Sequence, residues 1–120
     1  MRIELPWPPS ETSANASRQG SWRKKANAAK SYKVACAYEC MAQKVGKLGG
    51  FDSVRITFHP PRNGRLDFDN ITGRAKQGWD AVSEAIGIDD SLWWPVTLDK
   101  GDKVAGGLIV IEFVGSSAAS

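Results

Sequence analysis

The chain predicts an α/β domain of the α+β kind over residues 1–120: a small mixed sheet of about four strands with two main helices. Three observations carry this. Ile3, Leu5 and Trp7 alternate with polar or imino residues, and Val54, Ile56 and Phe58 do the same, the period-two signature of a strand with one buried face. Leu108 to Val114 is nearly continuous in apolar and β-branched residues, as a central strand requires. The segments between these strands carry helical rather than alternating spacing.

In chain order, the first strand gives way to Ser10–Gly20, a polar stretch of small residues without periodicity, which predicts a mobile loop. A helix follows over about Asn27–Lys47, with Val34, Tyr38, Met41, Val45 and Leu48 at 4, 3, 4, 3 spacing as its buried stripe. Cys36 and Cys40 then fall on the opposite side, near Lys33 and Lys44, partly exposed or against another subunit. After the Val54–Phe58 strand, Ile71, Ala75, Trp79, Val82 and Ile86 form one apolar stripe of a second helix, Asn70–Ile86, stopped by Gly87. A short strand at Val96–Asp99 turns at Lys100-Gly101-Asp102 back into the last strand. Gly115–Ser120 is too small and polar to pack and predicts a frayed end. No internal repeat or domain linker is present.

Composition narrows the function classes. The 42% hydrophobic content suits one modest core. No apolar run approaches the ~20 residues that span a bilayer, and the start of the chain lacks a signal-peptide pattern. These features predict a cytoplasmic protein without a membrane partner. Cys36 and Cys40 have only His59 to complete a soft-metal set, so reduced thiols are expected rather than a zinc site.

The net charge of +3 hides a division: residues 1–66 hold 12 Lys or Arg against 4 Asp or Glu, and residues 67–120 hold 4 against 9. A polyanion held by the basic part, with its reacting phosphate at the acidic part, fits that division. Trp22-Arg23-Lys24-Lys25 sets an aromatic among cations. It can stack on an exposed base while the cations hold phosphates, or Trp22 can close over the core. Adjacent Trp93 and Trp94 in an extended segment point to opposite sides, one toward the core and one toward a partner or substrate.

Residues 67–90 concentrate the chemistry. Asp67 and Asp69 project to the same side of an extended segment and form a hard-oxygen pincer. Mg²⁺ or Mn²⁺ suits such a pair, because the ion takes one or two carboxylates and completes its shell with water and substrate phosphate. The competing structural role is capping, in which Asp69 or Asn70 binds the free N–H groups of the helix start. An EF-hand loop fails, with Ile71, Thr72 and Gly78 at three required positions. Lys76 and Asp80, at i and i+4, form either a surface ion pair or part of a polar stripe beside the acids. No Gly-rich phosphate loop is present.

Leu5-Pro6-Trp7-Pro8-Pro9-Ser10, Asp67-Phe68-Asp69-Asn70, Lys76 with Trp79-Asp80-Ala81-Val82, and Gly87-Ile88-Asp89-Asp90 occur in one order over nearly the whole chain. This ordered set resembles the RusA-type Holliday-junction resolvases, small endonucleases of phages and prophages. The resemblance implies that Asp67, Asp69 and Asp90 bind metal, that Asp89 and Asn70 are accessory, and that Lys76 is the essential basic residue. Some family members carry that lysine three residues after the Asn, where this chain has Gly73, so Arg74 stands as the alternative to Lys76. The DNA-contacting set is then Arg18, Arg23, Lys24, Lys25, Lys30, Arg62, Arg65 and Arg74. The implied activity is Mg²⁺- or Mn²⁺-dependent hydrolysis of four-way DNA junctions in recombination and repair, without an organic cofactor, leaving 5′-phosphate and 3′-hydroxyl ends. A catalytically inactive junction binder and another Asp-x-Asp phosphotransfer enzyme are the alternatives.

A continuous helix over Asn70–Ile86 would be about 25 Å long at about 1.5 Å per residue, separating Asp67 and Asp69 from Asp89 and Asp90. Either the helix breaks, at Gly73 or Gly78, or Asp90 comes from a second subunit. An antiparallel twofold pairing of this helix in a homodimer would unite Asp67 and Asp69 of one copy with Asp90 of the other, and this is the arrangement expected. Alternatively, Asp89-Asp90 simply ends the helix in a solvated turn.

Overall fold

The computed structural model describes residues 1–12 and 22–118. Its strands are β1 at Arg2–Leu5, β2 at Leu48–Gly50, β3 at Ser53–His59, β4 at Val96–Lys100, β5 at Leu108–Val114 and β6 at Ser117–Ala118. The main sheet has the order β1-β5-β3-β4. The pairing of β5 with β1 and with β3 is antiparallel, whereas β3 and β4 run parallel, so the sheet is mixed. The expected alternation is realised. Val54, Ile56 and Phe58 lie opposite Phe113, Ile111 and Ile109, and all six are buried on one face with Ile3 and Leu5. The other face carries the Arg2–Glu4 pair and the Arg55–Asp99 pair at 3.0 Å.

Two expectations about the strands are corrected. β4 does not turn back onto β5, because both edges of β5 are already occupied by β1 and β3. It joins β3 instead, and the chain after it is tied down by Gly101 N donating to Phe58 O and Val104 N to Pro60 O. The end of the chain is not frayed as far as it is described: β6 pairs with β2 in a second, two-stranded sheet.

The first helix, α1, spans Trp22–Ala42 rather than 27–47. Lys44, at φ 59°, reverses the chain, with Val45 N bonding Cys40 O and Lys44 N bonding Met41 O, the paired closure of a Schellman motif. Its buried face is also the opposite of the expected one. Tyr32, Cys36 and Cys40 are buried, whereas Val34, Tyr38 and Met41 are 64%, 67% and 78% exposed. Close approach explains the choice: a Cβ built on Gly78 of the facing helix would lie 3.1 Å from Leu5 Cδ1 and 3.4 Å from Cys36 Sγ. The ring of Tyr32 comes equally close, at 3.4 Å, so Cys36 and Tyr32 pack directly on the glycine.

Burial pushes the Cys36 thiol up to about 12 and the Cys40 thiol above its ordinary value. Neither thiol is in a disulfide. The folded protein is therefore expected to resist a thiol-reactive dye at neutral pH, with both cysteines labelled only after unfolding in guanidinium. Rapid labelling of either thiol in the native state would show that this face of α1 opens.

Ser10–Thr12 forms a 3₁₀ turn rather than loop. The rest of the expected mobile loop, with Arg18, lies outside the described residues. Among the described residues no helix is long and apolar enough to cross a membrane.

A candidate acid–lysine site at a helix break

The acidic motif occupies the crossover between the parallel strands β3 and β4. The expected single helix is two: α2 at Phe68–Arg74 and α3 at Lys76–Ile86. Capping is real but falls on Asp67 and not on Asp69 or Asn70: as the N-cap of α2, Asp67 accepts from Asn70 N at 3.1 Å through its side chain. Asp69 stands exposed in the first turn, where the helix dipole favours a negative charge.

The break falls at Ala75, with φ −89° and ψ 6°, and at neither Gly73 nor Gly78. Carbonyl oxygens near the break find side-chain donors instead. Thr72 O accepts from Trp79 Nε1 at 3.1 Å, and Arg74 O accepts from Thr12 Oγ1 at 2.9 Å. Side chains inserted into the hydrogen-bond ladder are an established cause of helix kinks.

The Pro-rich segment completes the clasp. Arg74 donates to Pro8 O at 2.7 Å and to Pro9 O at 3.4 Å, and Tyr32 Oη donates to Pro6 O at 2.6 Å. Arg74 is partly buried, and desolvation lowers its pKa. Its guanidinium thus ties the chain segment before α1 to the break, a positioning role rather than that of a free basic side chain.

Lys76 opens α3 and is the hub of the site. Its Nζ lies 2.9 Å from Asp80 Oδ1 and 3.8 Å from Asp90 Oδ2 of the same chain. Asp90 gets there because Gly87 turns the chain in the left-handed region at φ 77°, and Asp89 caps the 3₁₀ turn Asp90–Leu92 by accepting from Ser91 N. Those Ser91 hydrogen bonds hold the Asp89 carboxyl below its ordinary value. The Asp80 hydrogen bond, helped by the charges of Asp80, Asp90 and Asp89, raises the Lys76 amine above its ordinary value. Lys76 therefore remains a cation at neutral pH and is unsuited to act as a base.

Asp90 thus meets Lys76 without a second copy, but among the described residues it does not join Asp67 and Asp69 in one metal-holding group. The straight helix of about 25 Å does not exist, and the returning chain brings Asp90 to Lys76 within one protomer.

Two cavities flank the hub. A polar one of about 270 Å³ is lined by Lys25 of α1, Asp69, Asn70 and Gly73 of α2, and Lys76 and Gln77 of α3. An apolar one of about 370 Å³ lies over Ile56, Val96 and Leu98, with Trp79, Trp94 and Asp90 among its walls. Trp93 is buried and donates to Ile88 O at 3.1 Å, whereas Trp94 is 73% exposed, the opposite orientations expected of the pair.

Among the described residues no three His, Cys, Asp or Glu side chains stand together as a metal-holding group. The acids thus do not fit a preformed divalent-cation site: Asp67 is engaged as a cap, and Asp90 faces an ammonium.

Of the other expected DNA-binding residues, Lys25 lines the polar cavity, and Arg23 lies over the Trp22 ring at 5.2 Å. Lys24, Lys30, Arg62 and Arg65 are exposed. Trp22, 63% exposed, does not close over the core. Asp80 and Thr12 were not among the expected site residues. Asp80 was signalled only by its i, i+4 spacing from Lys76, and Thr12 by nothing local.

The chain is thus an α+β protein whose acids meet a lysine at a broken crossover helix. It belongs to the same family as an uncharacterized protein of Xylella fastidiosa (strain Temecula1), to which it is 32% identical over 120 residues, covering 94% of this chain and 75% of that protein. No family model matches the chain.

Proposed function

We propose that this protein is a structure-selective endodeoxyribonuclease of the RusA resolvase kind, acting on four-way DNA junctions. The observation that carries the proposal is the polar cavity, which gathers Lys25, Asp69 and Lys76 from three different helices beside the basic first half of the chain. Lys25 and Lys76 offer cations to a backbone phosphate. The permanent charge of Lys76 suits it to stabilise negative charge developing on phosphoryl oxygens. A dependence on Mg²⁺ or Mn²⁺ belongs to the proposal, with Asp67, Asp69 and Asp90 as the oxygen donors. So does a homodimer, since paired cuts on opposed strands require two sites related by a twofold.

A labelled four-way junction incubated with Mg²⁺, Mn²⁺ or EDTA tests it. Metal-dependent cuts near the crossover, absent from plain duplex, support the proposal. Binding without cleavage supports a junction-binding protein instead, which the engagement of Asp90 by Lys76 would also suit.

The basic segment gives a separate expectation. Changing Arg23, Lys24 and Lys25 together to Ala should weaken binding to junction and duplex alike. It should also make the dependence of log K on log salt shallower by about one for each phosphate no longer neutralised. An unchanged slope would take this segment off the DNA surface.

A further inference from the structure

We infer that the apolar cavity between α3 and β4 seats one unstacked nucleobase of branched DNA, while a phosphate of the same strand lies in the polar cavity at Lys25 and Lys76. This inference rests on the nuclease reading above and names the feature of the substrate that the site would recognise.

The cavity has the walls that a base needs. It encloses about 370 Å³, inside the range of about 300–1,000 Å³ usual for small-ligand pockets. Trp79 and Trp94 stand in its walls above Ile56 and Leu98. Trp79 is fixed, because its Nε1 donates to Thr72 O at 3.1 Å and its ring meets Phe58 edge-on at 6.2 Å. Trp94 is 73% exposed, and its indole has neither a hydrogen bond nor a ring partner among the described residues. An uncovered indole beside an apolar hollow is a stacking platform, since every base has a π face.

The polar atoms of the same cavity all accept. Thr72 Oγ1 gives its proton to Phe68 O at 2.8 Å, and Ser91 Oγ gives its own to Asp89, so each hydroxyl has only lone pairs left to offer. The Asp90 carboxylate adds further acceptors. Each of the four bases carries an N–H donor on its pairing edge, which an unpaired base can present to them. An aliphatic side chain from a protein partner would cover these acceptors without supplying a donor, and that is costly.

The two cavities are also placed as one nucleotide requires. Thr72 lines the apolar cavity and its neighbour Gly73 the polar one, and Asp90 of the first lies 3.8 Å from Lys76 of the second. Cations on one side suit a phosphate, and the aromatic side suits its base. A base inside a duplex is stacked on both faces and paired at its edge, so it stays out; a base already unstacked at a branch enters at lower cost. Selectivity for branched DNA then comes from this cavity, because phosphate contacts are available on any duplex.

The test is a pair of fluorescence-anisotropy titrations of the full chain in EDTA, one with a four-way junction and one with a duplex of the same sequence. Trp94→Ala should weaken junction binding about tenfold and duplex binding by less than about twofold. Trp94→Phe, which keeps a ring, should recover most of the loss, whereas Trp94→Leu, apolar without a ring face, should not. In wild type, 5-iodouracil placed at the crossover should photocrosslink to Trp94, and the same base placed within an arm should not. Sedimentation of wild type and Trp94→Ala without DNA checks for a second copy on this surface.

Equal junction affinity of wild type and Trp94→Ala would overturn the inference, as would equal losses on junction and duplex or full recovery by Trp94→Leu. A wild-type dimer that Trp94→Ala splits into monomers would overturn it too, by assigning the cavity to a second copy. The two levels fail separately. A protein that cuts junctions while Trp94→Ala binds them like wild type keeps the nuclease and loses the base seat. A selective loss in Trp94→Ala, in a protein that cuts no branched DNA with Mg²⁺ or Mn²⁺, keeps the base seat and loses the nuclease.

Discussion

Replacing Asp69 by Asn is expected to lower the rate of junction cleavage by about a hundredfold or more while leaving junction binding nearly unchanged. Asp69 lines the polar cavity opposite Lys25 and Lys76, where an acid serves chemistry on a phosphate and not attachment to it. Its side chain is exposed in the first turn of α2, so the fold loses only a favourable dipole interaction of about 0.3–1 kcal/mol. Removing a negative charge from a DNA-facing cavity should, if anything, strengthen binding slightly. Single-turnover cleavage and a mobility-shift titration on the same preparation separate the two effects. A rate within about threefold of wild type in Mg²⁺ would remove Asp69 from the chemistry, and a parallel loss of binding would make it a structural residue.

Trp93→Ala and Trp94→Ala, though adjacent in sequence, should differ widely in thermal stability. Trp93 is 3% exposed, meets the Phe113 ring edge-on at 5.3 Å and bonds Ile88 O through its indole N–H. Truncation leaves a large cavity and an orphaned carbonyl, a cost of about 3–5 kcal/mol. Trp94 is 73% exposed, so its loss should change stability by no more than about 0.5 kcal/mol. Chemical denaturation of the two variants gives both numbers directly. Similar destabilisation by the two would mean that Trp94 is covered in solution by a second molecule.

This pair also shows what the sequence made visible. Strand alternation accounts for the buried face of Val54, Ile56 and Phe58, whereas the opposite exposures of Trp93 and Trp94, although expected from an extended segment, arise where Trp93 ends a 3₁₀ turn at φ −79° and ψ 3°. The inverted face of α1 was not visible for a different reason: the stripe of Val34, Tyr38 and Met41 is more apolar than Tyr32, Cys36 and Cys40, but it is Tyr32 and Cys36 that pack closely at Gly78, beside Leu5. Packing distance, not hydrophobicity, decided the face.

The candidate site divides in the same way. The Lys76–Asp80 pair was legible from spacing, and a cap at this helix start from residue type, although it falls on Asp67 where Asp69 or Asn70 was expected. The helix break depends on Thr12 and Trp79 reaching backbone oxygens at positions 74 and 72, and no local pattern encodes the first of these hydrogen bonds. Asp90 reaches Lys76 through the return of the chain after Gly87, so its place was the least legible of the acids.

The strand order has a consequence for synthesis. During translation β1, α1, β3 and β4 are all made before β5, yet β5 is the strand that joins β1 to β3. A nascent chain halted at residue 107 has no partner for Arg2–Leu5, and the sheet edge of Ser53–His59 that β5 will cover is open. Pairings between strands so distant in sequence form slowly and leave apolar edges exposed meanwhile. The main sheet therefore closes only after Leu108–Val114 has cleared the ribosome, and until then β1 and β3 wait with open edges.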